Sequence, residues 1–219
     1  MNAALSGLVL LVIGDSHIAA GDFFNNALHN ALLAQGANVH SFGVCSSTAE
    51  NWLQPLTVIC GGGERHNGQA ARPAQNGATE PWAIGSLIAQ YHPDIVIVEL
   101  GDAMADYPAA ATLPRDRIAS EVKLLSGAIS ARNVPCMWVG PTWGTEGGPL
   151  KKSFTRVKEL TDVLSHTVSP CRFIDSLAFS RPGEWATKDG VHLTVSSYSL
   201  WADKLEGAIV QTVPDVRKH

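Results

Sequence analysis

The stretch LVLLVIGDSH, residues 8–17, decides the fold and also points to the chemistry. Its long apolar run followed by Gly14 is typical of a strand buried on both faces of a parallel sheet. Ser16 then stands at the carboxyl end of that strand, the edge at which such sheets bind ligands. Near the other end of the chain, Asp189-Gly190-Val191-His192 supplies an imidazole and a carboxylate. A serine hydroxyl needs both groups to act as a nucleophile at neutral pH, so the two segments together predict a catalytic triad.

Apolar runs alternate with segments of helical periodicity along the chain, which is typical of a parallel sheet covered by helices. The predicted strands are Leu8 to Ile13, Asn38 to Phe42, Ile95 to Leu100, Cys136 to Val139 and Arg172 to Ile174. Apolar residues at helical spacing mark the segments 24–32, 118–129, 157–164 and 201–209. We therefore predict an α/β fold, a three-layer α/β/α sandwich around a five-stranded parallel sheet.

Size and charge favour a single domain over residues 1–219, with a net charge of −4 and no long run of like charge. We therefore expect no nucleic-acid partner and no binding to an anionic membrane. The apolar run at 8–13 is too short for a transmembrane segment. Residues 1–7 are expected to be a leader or an artificial boundary, and a removed export signal is an open alternative. Residues 61–79 are rich in Gly, Asn, Gln and Pro without periodicity, and they predict a long functional or mobile loop.

The four cysteines are predicted to fall into two pairs. Cys136 and Cys171 each follow a proline at the start of a predicted strand, so their sulfur atoms lie close together if the two strands are parallel neighbours. Cys45 and Cys60 flank a short predicted helix and form the second candidate pair. The alternative is four small buried thiols. Pairing favours an extracytoplasmic location, periplasmic or secreted, and free thiols favour the cytoplasm. No metal-ligand motif is present in the sequence, so we predict neither a metal site nor a cofactor.

Both segments of the predicted triad resemble the motifs of the SGNH (GDSL-type) hydrolases. The first motif of that family carries Gly-Asp-Ser, matched at Gly14 to Ser16, and its last carries Asp-x-x-His, matched at Asp189 to His192. The resemblance runs from Leu8 to about Ile209 and implies a flavodoxin-like sheet and a serine esterase that works through an acyl-enzyme. It also implies that Ser16 is the nucleophile, His192 the base and Asp189 the residue that orients the base.

The oxyanion donors depart from the family pattern. The family takes these donors from the backbone amide of the serine, from a glycine in its second motif and from an asparagine in its third. Here Ser46 stands at the glycine position, where its backbone N–H remains available. Ala103 stands at the asparagine position and has no side-chain donor. Three explanations are open: a substitute donor, a natural loss of activity, or an inactivating change made in the laboratory.

Two further residues are predicted to contact substrate, namely His17 beside the nucleophile and Trp143 in the turn after the fourth strand. For Trp143 the alternative is a tryptophan that only packs at the rim. The resemblance implies a small-molecule or glycan ester as substrate, with O-acetyl groups on carbohydrate as the expected case. Two alternatives are an O-acyltransferase that uses a glycan hydroxyl as acceptor and a catalytically impaired glycan-binding module. The sequence does not indicate an oligomeric state.

Overall fold

We describe a computed structural model of the chain for residues 3–19, 24–107 and 112–216. The strands are β1 (Val9–Gly14), β2 (Asn38–Val44), β3 (Leu56–Thr57), β4 (Gly62–His66), β5 (Arg72–Ala74), β6 (Thr79–Glu80), β7 (Ile95–Glu99), β8 (Cys136–Val139) and β9 (Arg172–Ile174). The α-helices are α1 (Ser16–Ala19), α2 (Phe24–Ala34), α3 (Ile84–Tyr91), α4 (Asp102–Ala105), α5 (Arg115–Ser130), α6 (Phe154–Thr167) and α7 (Val195–Val216). Two 3₁₀ helices cover Glu50–Leu53 and Ser176–Phe179. Within these ranges, no helix combines the length and the apolar character that crossing a membrane requires.

The main sheet has seven strands in the order β5-β4-β2-β1-β7-β8-β9. The five strands from β2 to β9 pair in parallel and correspond to the five predicted ones, so the parallel core of the sheet is confirmed. The prediction was incomplete at one edge, because β4 and β5 extend the sheet there in antiparallel pairing. The sheet is therefore mixed and larger than the five-stranded parallel sheet expected from the sequence.

The two extra strands come from the segment 61–79, which was wrongly predicted to be a loop. In β4, His66 pairs with His40 of β2 and Gly62 pairs with Val44, so this strand pairs with residues 40–44 of β2. The hydrophobic pattern does not reveal it, because glycines and charged residues occupy a strand near the edge of the sheet. Backbone hydrogen bonds to β2, rather than side-chain burial, carry this pairing.

Apolar side chains of the central strands alternate between the two faces of the sheet. Leu11 and Ile13 of β1 pack into the core on the side of α3, α5 and α6, and Leu10 and Val12 pack into the core on the side of α2 and α7. All four are almost completely buried. Because helices cover both faces, the strand is apolar at every position, which is the pattern that predicted the three layers.

Both predicted cysteine pairs are disulfides. Cys136 is the first residue of β8, and Cys171 directly precedes β9, its parallel neighbour. Their Cα atoms lie 4.6 Å apart. The Cα atoms of Cys45 and Cys60 lie 5.5 Å apart, and their bond ties the end of β2 to the start of β4. The adjacency of β8 and β9 is therefore confirmed, together with both pairings.

Leu5, near the start of the chain, and the polar residue His29 are more buried than the sequence pattern indicates. Leu5 is fully buried, and its N–H donates to Gln35 O, so this segment packs at the end of α2. His29 of α2 is also buried, with Nδ1 2.7 Å from Ser41 Oγ and Nε2 2.9 Å from Asn67 O. Burial lowers the pKa of His29 to about 4, so its imidazole is neutral inside the protein near pH 7.

Candidate active site

Ser16 begins α1 directly after β1, at the carboxyl edge of the sheet. The turn is held by the Asp15 N–H, which donates to Glu99 O at the end of β7. Close packing fixes α1 against β2, because a Cβ at Gly43 would lie 2.3 Å from the backbone nitrogen of Ala19. Ser16 therefore lies on a short helix whose backbone rests directly on the sheet.

Ser16, His192 and Asp189 form a continuous hydrogen-bonded chain. His192 Nε2 lies 2.8 Å from Ser16 Oγ, and His192 Nδ1 lies 2.7 Å from Asp189 Oδ2. The carboxylate accepts from the ring Nδ1–H, which leaves Nε2 as the acceptor facing the serine hydroxyl. The structure thus brings together the residues that the sequence placed in one triad.

The turn that carries Asp189 and His192 is held by its own backbone. Asp189 Oδ1 accepts hydrogen bonds from the N–H groups of Val191 at 3.0 Å and His192 at 2.8 Å. Burial alone would raise the pKa of Asp189, but the hydrogen bonds from the ring and backbone of His192 lower it below its usual value. Asp189 is therefore ionised at neutral pH and fixed in orientation.

A second loop supports this turn from the side. The Thr145 N–H donates to Gly190 O at 2.9 Å, and a Cβ at Gly148 would lie 2.4 Å from Asp189 O. Gly148 also has a φ of 71°, a conformation that glycine adopts without strain. The loop after β8 therefore packs backbone to backbone against the turn that holds the candidate base.

Ser46 has a backbone conformation that glycine adopts without strain. Its φ is 61°, in the left-handed region, and the Ser47 N–H donates to Val44 O to close the turn around it. Among the described residues, no acceptor receives the Ser46 N–H. Ser46 Oγ is 3.5 Å from Cys60 Sγ, so the side chain lies against the disulfide. The backbone N–H is left available as a donor.

Ala103 lies in α4 beside the loop of the nucleophile. Its N–H is 3.4 Å from Asp15 Oδ2, and its methyl group offers no hydrogen-bond donor. The position is thus adjacent to the serine loop, as the family motif implies. The same short helix carries Asp102, whose side chain points into the protein.

His17 does not line the cavity at Ser16, contrary to the prediction that it contacts substrate. The ring is 1% exposed, with Nδ1 2.7 Å from Tyr198 Oη and Nε2 3.2 Å from Asp102 Oδ2. Its centroid lies 5.3 Å from that of His192. His17 therefore belongs to the buried support beneath the triad, because the turn into α1 directs its side chain inward.

Asp102 is the centre of a buried charged cluster that the sequence did not reveal. The Lys152 ammonium contacts Asp102 Oδ1, and Tyr107 Oη donates to the same oxygen at 2.7 Å. Both ends of the ion pair are buried, with side-chain exposures of 0% for Lys152 and 3% for Asp102. Burial alone would raise the pKa of Asp102, but Lys152 and His17 hold it well below its usual range. The carboxylate is therefore charged and anchors the helix that carries Ala103.

A neighbouring group of Asp15, His17 and Glu99 has the spacing of metal ligands, with candidate atoms within 4.8 Å of one another. The protein already supplies partners to two members, since both nitrogens of His17 and both oxygens of Asp15 lie within hydrogen-bond distance of protein groups. Burial and the nearby charge of Asp15 raise the pKa of Glu99 well above its usual value, which favours the neutral acid. These contacts fit a hydrogen-bonded support for the turn at Ser16.

The cavity in front of Ser16 has a volume of about 230 Å³. Beside Ser16, Asp189 and His192, its walls are formed by Ala19, Cys45, Cys60, Gly61 and Lys188. One wall is thus the disulfide between β2 and β4, which sequence analysis proposed as a pair but did not place at the site. Trp143 lines a separate cavity with Phe173, and its Nε1–H donates to Leu177 O and Ser180 O, so it does not face Ser16 as predicted.

Comparison with known proteins places this architecture in a family. No model of a known protein family matches the sequence. The chain is 40% identical over 220 aligned positions to Protein BcsX of Komagataeibacter xylinus, and the alignment covers 100% of this chain and 81% of BcsX.

Solved structures are similar in fold at low sequence identity. A catalytic mutant of the acetylxylan esterase Axe2 from Geobacillus stearothermophilus has a TM-score of 0.60 and 17% identity, over 93% of this chain and 94% of that one. The psychrotrophic esterase EstA from Pseudoalteromonas sp. has a TM-score of 0.60 and 14% identity, over 94% of this chain and 98% of that one. The fold is that of the SGNH (GDSL-type) hydrolases, and the chain belongs to the family of BcsX.

Proposed function

We propose that this protein is a serine esterase that removes short acyl groups, above all O-acetyl groups, from a carbohydrate. The observation that carries the proposal is the chain of hydrogen bonds from Ser16 through His192 to Asp189, at 2.8 and 2.7 Å. A serine hydroxyl that is hydrogen-bonded to an imidazole, which a carboxylate orients in turn, is the arrangement that activates a hydroxyl for acyl transfer.

Catalysis would proceed in two proton-balanced steps. Ser16 Oγ bonds to the ester carbonyl carbon while its proton passes to His192 Nε2, and the departing alcohol then takes that proton as the carbon–oxygen bond breaks. Water attacks the resulting acyl-enzyme, gives a proton to the same nitrogen and releases the acid, with the proton returned to Ser16. Asp189 stays ionised throughout and stabilises the imidazolium that forms in each step. These steps need no cofactor.

The tetrahedral oxyanion would be held by backbone donors. Ser16 is the first residue of α1, so its N–H has no acceptor within the helix. The N–H of Ser46 has no acceptor among the described residues. Ala103 supplies no side-chain donor where the family has asparagine. We therefore expect turnover below that of a site with all three donors, because one such donor contributes about 3–4 kcal/mol to the transition state.

Substrate size and location follow from the disulfide and the cavity. A space of about 230 Å³ walled by Ala19 and the Cys45–Cys60 disulfide suits an acetyl group better than a long acyl chain. The acetylxylan esterase with the same fold supports a carbohydrate as the alcohol. Two disulfides support an extracytoplasmic location, since such bonds persist in oxidising compartments.

The decisive experiment is labelling with a fluorophosphonate, read by the mass of the intact protein. We expect the wild-type chain to gain one label and to hydrolyse p-nitrophenyl acetate, and Ser16→Ala to lose both properties. Ser165→Ala is the matched control, because Ser165 Oγ lies 3.1 Å from His166 Nδ1 on the exposed face of α6. That variant removes a serine beside a histidine outside the triad, so its labelling and rate should equal those of the wild type.

Other outcomes separate the rival functions. Full hydrolysis by Ser16→Ala would contradict the triad. Binding of an acetylated glycan without any labelling would favour an impaired binding module. Labelling with slow hydrolysis, together with faster transfer of acetyl groups to an added oligosaccharide, would favour an O-acyltransferase.

A further inference from the structure

A larger cavity adjoins the one at Ser16 and lies against the β4–β5 hairpin. We call it the hairpin cavity; it has a volume of about 570 Å³ and shares Ala19 and Gly61 with the cavity in front of the nucleophile. The remaining walls are formed by the start of α2 and by the hairpin, namely Asn25, Asn26, Gly62, Gly63, Arg65, Ala70, Ala71, Arg72, Pro73 and Ala74. A bound molecule can therefore reach from Ser16 into the hairpin cavity past two small residues.

Three oxygen acceptors of the protein bind the guanidinium group of Arg65 at this cavity. Its Nε–H donates to Gln69 O at 3.0 Å, and its terminal nitrogens donate to Asn26 Oδ1 at 2.7 Å and Asn30 Oδ1 at 2.8 Å. A guanidinium group has five N–H donors, so two remain for a ligand. Arg65 takes part in none of the ion pairs formed within the described parts of the chain. Because none of the described carboxylates pairs with it, this guanidinium group can donate to the oxygen atoms of a ligand.

The second arginine of the cavity is already neutralised. The Nε–H of Arg72 donates to Glu64 Oε1 at 2.8 Å, and a terminal nitrogen contacts the same carboxylate. Asn26 differs, because its Oδ1 accepts from Arg65 and its Nδ2 is left to donate. The lining thus combines a few fixed N–H donors with the methyl and ring carbons of Ala70, Ala71 and Pro73.

From this lining we infer that the hairpin cavity binds the sugar residues on the alcohol side of the ester, with Arg65 donating to their hydroxyl and ring oxygens. The inference rests on the proposed esterase function. Sugar rings present many oxygen acceptors together with apolar C–H faces, which fits donors set among small apolar groups. A long acyl chain would offer no acceptors to the N–H donors of Arg65, which is half-buried, and Asn26, which is exposed, whereas sugar hydroxyls can replace the water that these donors otherwise bind.

The inference is tested with two substrates that differ in their alcohol. p-Nitrophenyl acetate carries only a small aromatic alcohol, and acetylated cellohexaose carries a chain of sugars. The measured quantity is the ratio of kcat/KM for acetylated cellohexaose to kcat/KM for p-nitrophenyl acetate. We expect Ala70→Trp, which fills the cavity from an exposed turn, to lower this ratio at least tenfold through a higher KM. Arg65→Gln should lower it in the same direction.

Controls keep the result interpretable. Ala131→Trp adds the same bulk at an exposed position after α5 and should leave the ratio unchanged. Trp143→Phe tests the separate cavity that Trp143 lines with Phe173. A lower ratio for this variant, together with a wild-type ratio for Ala70→Trp, would overturn the inference. Hydrolysis of p-nitrophenyl acetate by a wild-type protein that does not attack acetylated cellohexaose would also overturn it.

A binding measurement separates this inference from the proposed function. Calorimetric titration of the Ser16→Ala protein with acetylated cellohexaose reports binding without turnover. We expect binding that Ala70→Trp weakens at least tenfold in the Ser16→Ala background. Equal binding by both proteins, or none by the parent, would contradict the sugar site even if the esterase is active. If the wild-type protein does not hydrolyse p-nitrophenyl acetate, that result would contradict only the proposed function.

Discussion

Replacing Lys152 by methionine removes the ammonium group from the buried cluster while keeping the length of the side chain. Asp102 then keeps Tyr107 and His17 as partners but loses its cation, and both ends of this ion pair are at most 3% exposed. Breaking a buried pair costs about 3–5 kcal/mol of the free energy of unfolding. At ~2–4 °C per kcal/mol for a chain of this size, we expect the Tm to fall by roughly 6–20 °C near pH 7.

The pH dependence of this loss has a definite sign. In the wild-type protein the pKa of Asp102 is lowered, so the stability that its charge contributes is present above the unfolded pKa and is lost only in strong acid, as the pH falls through the folded pKa. Without Lys152 the desolvation of the carboxylate dominates and raises its pKa. The folded variant then takes up a proton more readily than the unfolded chain, so its stability increases as the pH falls. The difference in Tm between the two proteins should therefore shrink from pH 8 to pH 5.

Thermal unfolding followed by circular dichroism at several pH values provides the measurement. Lys151→Met is the matched control, because the adjacent lysine is exposed and the same change should shift the Tm by less than about 2 °C. A Tm for Lys152→Met within that range, or a difference that does not change with pH, would refute the argument that Lys152 compensates a buried charge.

The remaining predictions concern the oxyanion donors and a buried histidine. Ala103→Asn should raise kcat for p-nitrophenyl acetate by roughly one to three orders of magnitude with a smaller change in KM, since the added donor acts on charge that develops in the transition state; an unchanged kcat in the folded variant would argue against a vacant donor position. Ser46→Gly should keep activity and raise the free energy of unfolding by up to about 1 kcal/mol in urea titrations, because φ is 61° there; a clear destabilisation would contradict this. The depressed pKa of His29 should cost the protein up to ~3 kcal/mol as the pH falls from 6.5 to 4, and His29→Gln should flatten that part of the stability profile; identical slopes for both proteins would exclude His29 as the cause.

The parallel core, and the grouping of Ser16 with Asp189 and His192, were predictable because each rests on a strong local signal. The stretch Leu8 to Ile13 is apolar at every position, which is typical of a strand covered on both faces. Ser16 follows this stretch after Gly14 and Asp15. Asp189 and His192 lie in one turn, so their mutual geometry follows from their spacing. The contact between this turn and Ser16, at a sequence separation of 176 residues, is set by the tertiary fold.

The residues that escaped prediction are those whose environment is set by the rest of the fold. Lys152 stands in a Lys-Lys pair that resembles any exposed loop, yet only the second lysine is buried. β4 carries glycine and charged residues because backbone pairing with β2 stabilises it, and that pairing leaves no hydrophobic pattern. His17 and Trp143 were assigned to the substrate from their positions in the chain alone, and neighbouring side chains direct both of them elsewhere.

The contact of Gly43 with α1 limits how the cavity at Ser16, the proposed acyl site, can be reshaped. Backbone touches backbone beneath Ser16, so no side chain lies there that a substitution could shorten or rotate to deepen the site. The wall opposite is a covalent bond between Cys45 and Cys60 and does not relax as a packed side chain does. Within the walls of the cavity at Ser16, this leaves Ala19, Gly61 and Lys188, so only a small set of positions is open to engineering.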